Sequence, residues 1–263
     1  MQDSEVLTVE PVERKPPWGT WASIGLGLVV FIVMNVTQAI VLLIYMAVSL
    51  TGDQNSGFET MQPDQLEELT QSLESNGDFF ALATLVSTPI CVGLIALFAI
   101  ARHGPPLGDY LALRAVSTSA LVRSLALALA IVFAWDALSV LLDRPIVPDI
   151  MVKIYDSASA LWLLWIAVIL AGPLFEEVFF RGFLLEGLRH GHLGALGAIS
   201  LTALLWAALH IQYGLYEIST IFLLGLILGY VRLRTGSLYP PLAMHAVVNL
   251  GASLQVAGYW FYS

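Results

Sequence analysis

The sequence predicts an all-α fold, a polytopic transmembrane helical bundle of about seven spans with its chemistry in the C-terminal half. Three observations lead there. The mean hydropathy is +0.80. Of 263 residues, 58% are hydrophobic and only 12% are charged, about half the charged share of a soluble domain and too little to clothe a water-facing surface. The apolar residues are also gathered into runs of bilayer length, since a hydrocarbon core of about 30 Å takes about 20 helical residues. The same counts exclude other classes. A formal charge of −9 argues against a nucleic-acid binder that neutralises phosphates, and the single Cys91 excludes an internal disulfide framework.

Residues 1–20 read as a solvated tail, with Pro11, Pro16 and Pro17 and with Arg14 and Lys15 just before the first apolar run. Trp21 to Leu50 is the first span. It is too long and too far from the start to be the apolar part of a cleaved signal peptide, so a retained anchor is expected. Residues 51–78 form a polar loop with seven acids and no base. Phe79 to Ala101 is the second span, with Pro89 inside it, a residue that membrane helices tolerate when neighbours re-satisfy the backbone. Arg102, Arg114 and Arg123 mark a basic connection in which Leu107 to Leu113 is expected as a short interfacial helix.

The third span, Ala120 to Leu142, contains Asp136, expected to support a helix contact. Ser157 to Phe175 is the fourth, with helical character continuing to about Leu188 and a kink at Pro173. Leu193 to Leu209, Tyr216 to Val231 and Pro240 to Tyr262 complete the set. The sixth contains Gly225 and Gly229, and the chain ends in the aromatic run Tyr259 to Tyr262, suited to the membrane interface. Three segments are therefore expected: the tail 1–20, the N-terminal spans with their acidic loop and interfacial helix over 21–118, and a core over 119–263.

A cytoplasmic N-terminus places Arg14, Lys15, Arg102, Arg114, Arg189, Arg232 and Arg234 on one side and the acidic loop on the other, as the positive-inside rule asks; the loop with Arg144 and Lys153, which also carries Asp143, Asp149 and Asp156, is the exception. A multi-pass protein of a bacterial plasma membrane is the expectation. The tail holds four acids and two bases, so the tail and the acidic loop account for the whole −9 and the membrane body is charge-balanced.

Ionisable groups at membrane depth cost about 2.5 to 3.5 kcal/mol each on insertion scales, so each needs a partner or a task. Three groups stand out: Glu176 and Glu177 with Arg181, then His210, then His245 with Asn249. On an α-helix Glu177 and Arg181 lie about 40° apart and can pair, whereas Glu176 lies about 100° further round. One carboxylate is neutralised and its neighbour is left to face another helix. A second buried carboxylate is an uncompensated cost, which favours function, and a desolvated carboxylate can act as a general base on water. His245 and Asn249 are i and i+4 on one face, as are Trp206 and His210, which offers an aromatic wall beside an imidazole.

In the order Glu-Glu-x-x-x-Arg at Glu176, Glu177 and Arg181, aromatic-x-x-x-His at Trp206 and His210, and His-x-x-x-Asn/Asp at His245 and Asn249, these residues resemble the CPBP intramembrane proteases. That family includes the type II CAAX prenyl endopeptidases and bacterial abortive-infection or bacteriocin-processing proteins. The likeness covers about residues 160 to 255. Phe is the commoner aromatic of the second motif, so Trp206 departs from the pattern.

The resemblance implies an endopeptidase acting near the membrane on a peptide or membrane-associated protein, prenylated, lipid-anchored or neither. Glu176 would activate water and Glu177 with Arg181 would orient it, while His210, His245 and Asn249 would position the water or bind the oxyanion. Metal use stays open at this point. Glu176, His210 and His245 are a two-His, one-carboxylate set that Zn would accept, yet no His-Glu-x-x-His helix is present. Two other readings also remain: a catalytically silent scaffold that binds a partner in the same cavity, and a small proton-coupled transporter.

One condition attaches to a shared site. At about 1.5 Å per residue, Glu176 lies about 18 Å, His210 about 25 Å and His245 about 8 Å from the cytoplasmic ends of their runs. Tilt, the Pro173 kink or an earlier start to the last helix must bring them level.

Overall fold

The computed structural model describes residues 16–51, 73 and 75–262, with side chains of 49–51 and 259–262 outside that description. Most of the expected polar tail and acidic loop, and the side chains of the terminal aromatic run, lie outside the described residues. Among the described residues all regular structure is helical. The helices are α1 (Thr20–Thr51), α2 (Gly77–Ala101), α3 (Leu107–Tyr110), α4 (Thr118–Leu141), α5 (Asp149–Asp156), α6 (Leu161–Arg189), α7 (Gly194–Ala208), α8 (Leu215–Thr235) and α9 (Tyr239–Tyr262).

Among the described residues five helices, α1, α2, α4, α6 and α8, are long and apolar enough to cross a membrane, which corrects the expected seven. Each shortfall has a physical reason. The 15 residues of α7 reach only about 22 Å at 1.5 Å per residue. The 24 residues of α9 are long enough, but Pro240, Pro241, His245, Asn249 and Gln255 dilute its apolar character.

Caps start two of the spanning helices. The Asn76 side chain accepts from the Phe79 N–H at 2.8 Å ahead of α2, and Ser117 does the same for Ala120 ahead of α4. The expected interfacial helix is shorter than its apolar run, because Ala112 takes a left-handed φ of 53° and the chain cannot stay helical there. That turn exposes the Ala112 carbonyl, which accepts the Leu238 N–H at 2.9 Å, while Ser237 Oγ donates to the Arg114 carbonyl. The segment is thereby fastened to the turn between α8 and α9. Tyr110 is fully buried against Phe183, with ring centroids 5.9 Å apart, and its hydroxyl accepts the Trp18 N–H at 3.3 Å. Burial pushes this phenol up to about 12, so it stays neutral in the packed state.

In α6 the helix runs through Pro173 without ending, and two stretches, Ile166–Ala171 and Glu177–Leu184, are π-helical. The Gly172 N–H reaches back five residues to the Ala167 carbonyl, and the Leu185 N–H does the same to Phe180. The irregularity expected at Pro173 therefore includes a widened turn before the proline. Such π segments collect at functional sites.

Close approach holds α7 to α8. A Cβ on Gly225 would stand 2.8 Å from Ala203 Cβ and 3.0 Å from Ala203 Cα, and one on Gly229 would stand 3.1 Å from Ile199 Cγ2. Small residues four apart let two helix backbones meet without intervening side chains. Gly225→Ala is expected to cost about 1–3 kcal/mol, since neither Ala203 atom can swing aside. Thermal unfolding in detergent measures the loss.

At the other end of α6, buried Glu186 gathers Arg189 at 2.9 and 2.8 Å, His190 at 3.2 Å and buried Arg232 of α8 at 3.4 Å. Both carboxylate oxygens of Asp136, on α4, accept from the Gln255 amide nitrogen, at 2.9 and 2.8 Å. Asp136 does serve a helix contact, joining α4 to α9.

Candidate active site

The two adjacent glutamates of α6 have opposite surroundings. Glu177 is wholly buried, with 0% of its side chain exposed, while Glu176 keeps 25%. Glu177 Oε1 accepts from Arg181 Nη1 at 2.8 Å. The intrahelical pair that the spacing suggests is therefore formed. Arg181 is also fully buried, donates from Nη2 to the Gly225 carbonyl at 3.4 Å and lies 4.5 Å from the centre of the Trp206 ring. The close α7–α8 contact at Gly225 thus brings both the carbonyl and the indole to the guanidinium. Glu177 Oε2 and Arg181 Nε remain without a hydrogen-bond partner.

Glu176 faces a cavity of about 500 Å³, bounded by residues of α1, α2, α4, α5, α6, α7, α8 and α9 and of the loops between them. Glu177 and Arg181 do not line it. Trp206 Nε1 donates to Glu176 Oε2. His245, 3% exposed, bridges the two carboxylates, with Nδ1 3.0 Å from Glu177 Oε1 and Nε2 3.7 Å from Glu176 Oε2. Its ring meets that of Trp206 edge to face at 5.1 Å.

His210 lies just past α7 and lines the same cavity. Its Nδ1 bonds the Trp206 carbonyl at 2.9 Å; a carbonyl can only accept, so Nδ1 carries the proton and Nε2 is its other polar atom. The ring meets Trp206 at 5.4 Å and stacks on Tyr213 at 6.2 Å. Asn249 also lines the cavity, and its Nδ2 donates to the Val168 carbonyl at 2.8 Å. The depth condition is met for His245, which reaches Glu176 although α9 begins only at Tyr239. His210, just past the end of α7, lines the cavity that Glu176 faces.

Two features of the cavity escape sequence reasoning. Tyr213 has no motif to mark it, yet its phenol is pushed up to about 12, first by burial and then by Tyr155, Glu176 and Glu217, so it stays protonated beside His210. Trp206 is more than an aromatic wall, because its indole N–H is a donor to Glu176 that a Phe cannot supply.

Among the described residues no group of three or more His, Cys, Asp or Glu is placed to hold a metal ion. The zinc set of Glu176, His210 and His245 is not among such groups. In both histidines the Nδ1 hydrogen bond, to the Glu177 carboxylate from His245 and to the Trp206 carbonyl from His210, leaves Nε2 as the available nitrogen.

The family model described as type II CAAX prenyl endopeptidase Rce1-like matches residues 158–251, a stretch that holds all the side chains of the three motifs. An Escherichia coli relative, described as an uncharacterized 24.3 kDa protein, is 33% identical over 172 residues, which is 64% of this chain and 75% of the relative. No solved structure matches the chain.

Proposed function

The chain belongs to the CPBP family through its Rce1-like core, and from that premise we propose that it is an intramembrane endopeptidase in which Glu176 activates the water that hydrolyses a peptide bond. Family membership places it among protease-like hydrolases, and five apolar helices place it in a membrane as a multi-pass protein. Peptide or lipid-associated substrates follow from that setting.

One observation carries the reading. Of two neighbouring carboxylates, one is sealed away with its counter-ion, and the other stands on a cavity wall 3.7 Å from an imidazole nitrogen. A structural ion pair needs only the first. The cavity of about 500 Å³ falls within the 300–1,000 Å³ that ligand sites commonly offer, enough for a few peptide residues.

In this scheme Glu176 takes a proton from water as the water oxygen attacks the scissile carbonyl, and then passes it to the leaving amine. The indole N–H of Trp206 holds the carboxylate in aim. His210 presents Nε2 to the second hydrogen of the water. His245, held through Nδ1 by Glu177, meets the developing oxyanion from Nε2 when it is protonated, and Glu177 with Arg181 keeps that ring in place. The arrangement uses only side chains of this chain.

Comparing peptide termini in membranes of cells that make the intact chain with those that make Glu176→Gln tests the proposal. New termini seen only with the intact chain are expected. Identical sets of termini, with both chains inserted in equal amount, would remove Glu176-dependent proteolysis as the function.

A further inference from the structure

In the π-helical turn ahead of Pro173, N–H groups reach back five residues, as Gly172 does to the Ala167 carbonyl. In that register the Val168 carbonyl falls to the N–H of residue 173, and proline has none. A regular α-turn would pair Val168 with Gly172, but that N–H is already committed to Ala167. Val168 therefore carries the backbone oxygen that this local sequence orphans inside a spanning helix.

The missing donor comes from another helix. Asn249 Nδ2 donates to the Val168 oxygen at 2.8 Å, from the same face of α9 as His245 one turn earlier. Thr88 of α2 adds a donor to the Ala171 carbonyl at 3.2 Å. Glu176 follows three residues after Pro173, so this turn sets the direction from which its carboxylate meets Trp206 and His245.

We propose that Asn249 is a positioning residue whose side-chain amide replaces the backbone donor that Pro173 lacks, and so fixes the π-turn from which Glu176 is aimed. Its relevance to chemistry rests on the proteolytic reading above; the hydrogen-bond substitution itself does not. The position needs a donor, which Ala does not have and an ionised Asp turns into an acceptor facing an acceptor.

The test is a double-mutant cycle on the full chain in detergent, using Asn249→Ala, Pro173→Ala and both together. Asn249→Ala is expected to lower Tm by several degrees and to speed amide exchange across residues 168–177 at least tenfold. Pro173→Ala restores an N–H at residue 173 and ends the orphaning of Val168, so in the Asn249→Ala background it should return most of the lost Tm and slow the exchange again. Where Asn249→Ala alone does not accumulate in the membrane, recovery of accumulation by the double variant is the same result.

If Pro173→Ala recovers neither Tm nor exchange, nor accumulation where the single variant fails, the proposal is overturned. Turnover of a terminus identified above gives a further readout, expected as a fall in kcat at constant KM in Asn249→Ala. Tm and exchange decide the hydrogen-bond substitution even where no cleavage is found, so its failure and the failure of the proteolytic reading are told apart.

Discussion

Glu176→Gln is expected to lower cleavage by about 10²- to 10⁴-fold, the range that a positioned general base contributes, while leaving Tm close to that of the intact chain. The two effects separate because of what Glu176 touches. Gln keeps the size of the side chain and a carbonyl oxygen that can accept the Trp206 N–H, but it cannot take a proton from water. Its loss strands no buried cation, since Arg181 is paired with Glu177. A fall in kcat with KM and Tm held is the expected result, measured on a terminus from the membrane comparison. Unchanged cleavage by a normally inserted Glu176→Gln chain would show that the carboxylate is not the base.

Much of this arrangement is legible in local spacing. Two side chains four apart on a helix face one another, which is enough to pair Glu177 with Arg181 and to leave Glu176 unpaired. The bulk composition, by contrast, hides these charges, because the acidic loop and tail account for the whole net charge. What spacing cannot reach are contacts between helices. That His245 spans both glutamates depends on how α9 lies against α6, and that Glu186 of α6 finds Arg232 of α8 depends on a join 46 residues apart in sequence.

Counting apolar residues also overstates the spans. A run such as Leu193 to Leu209 passes a composition test over most of its length, but the helix formed has 15 residues. His210, just past its end, lines the cavity. Asn249 illustrates the opposite limit: its spacing from His245 puts both on one face, yet its hydrogen-bond partner is a carbonyl exposed by a proline in another helix.

Arg181→Leu is the substitution expected to cost the fold most. Removing one partner of a buried ion pair typically costs about 3–5 kcal/mol, because the charge left behind has neither water nor counter-ion. Here the stranded group is Glu177, with none of its side chain exposed. His245 is its remaining hydrogen-bond partner, through Nδ1 at 3.0 Å. The same change removes the guanidinium from the Trp206 face and the donor to the Gly225 carbonyl, so α6, α7 and α8 all lose a contact at one point.

Adding Glu177→Gln to Arg181→Leu should recover most of the loss in Tm, since replacing a whole buried pair by neutral groups of similar volume is often neutral or stabilising. It should not recover cleavage, because a neutral amide in place of the Glu177 carboxylate would hold His245 without the negative charge that compensates an imidazolium. A double variant that regains both stability and turnover would show that Glu177 serves the fold alone. One that regains stability and stays inactive separates the two tasks of the pair, neutralising Arg181 and steadying the imidazole beside Glu176.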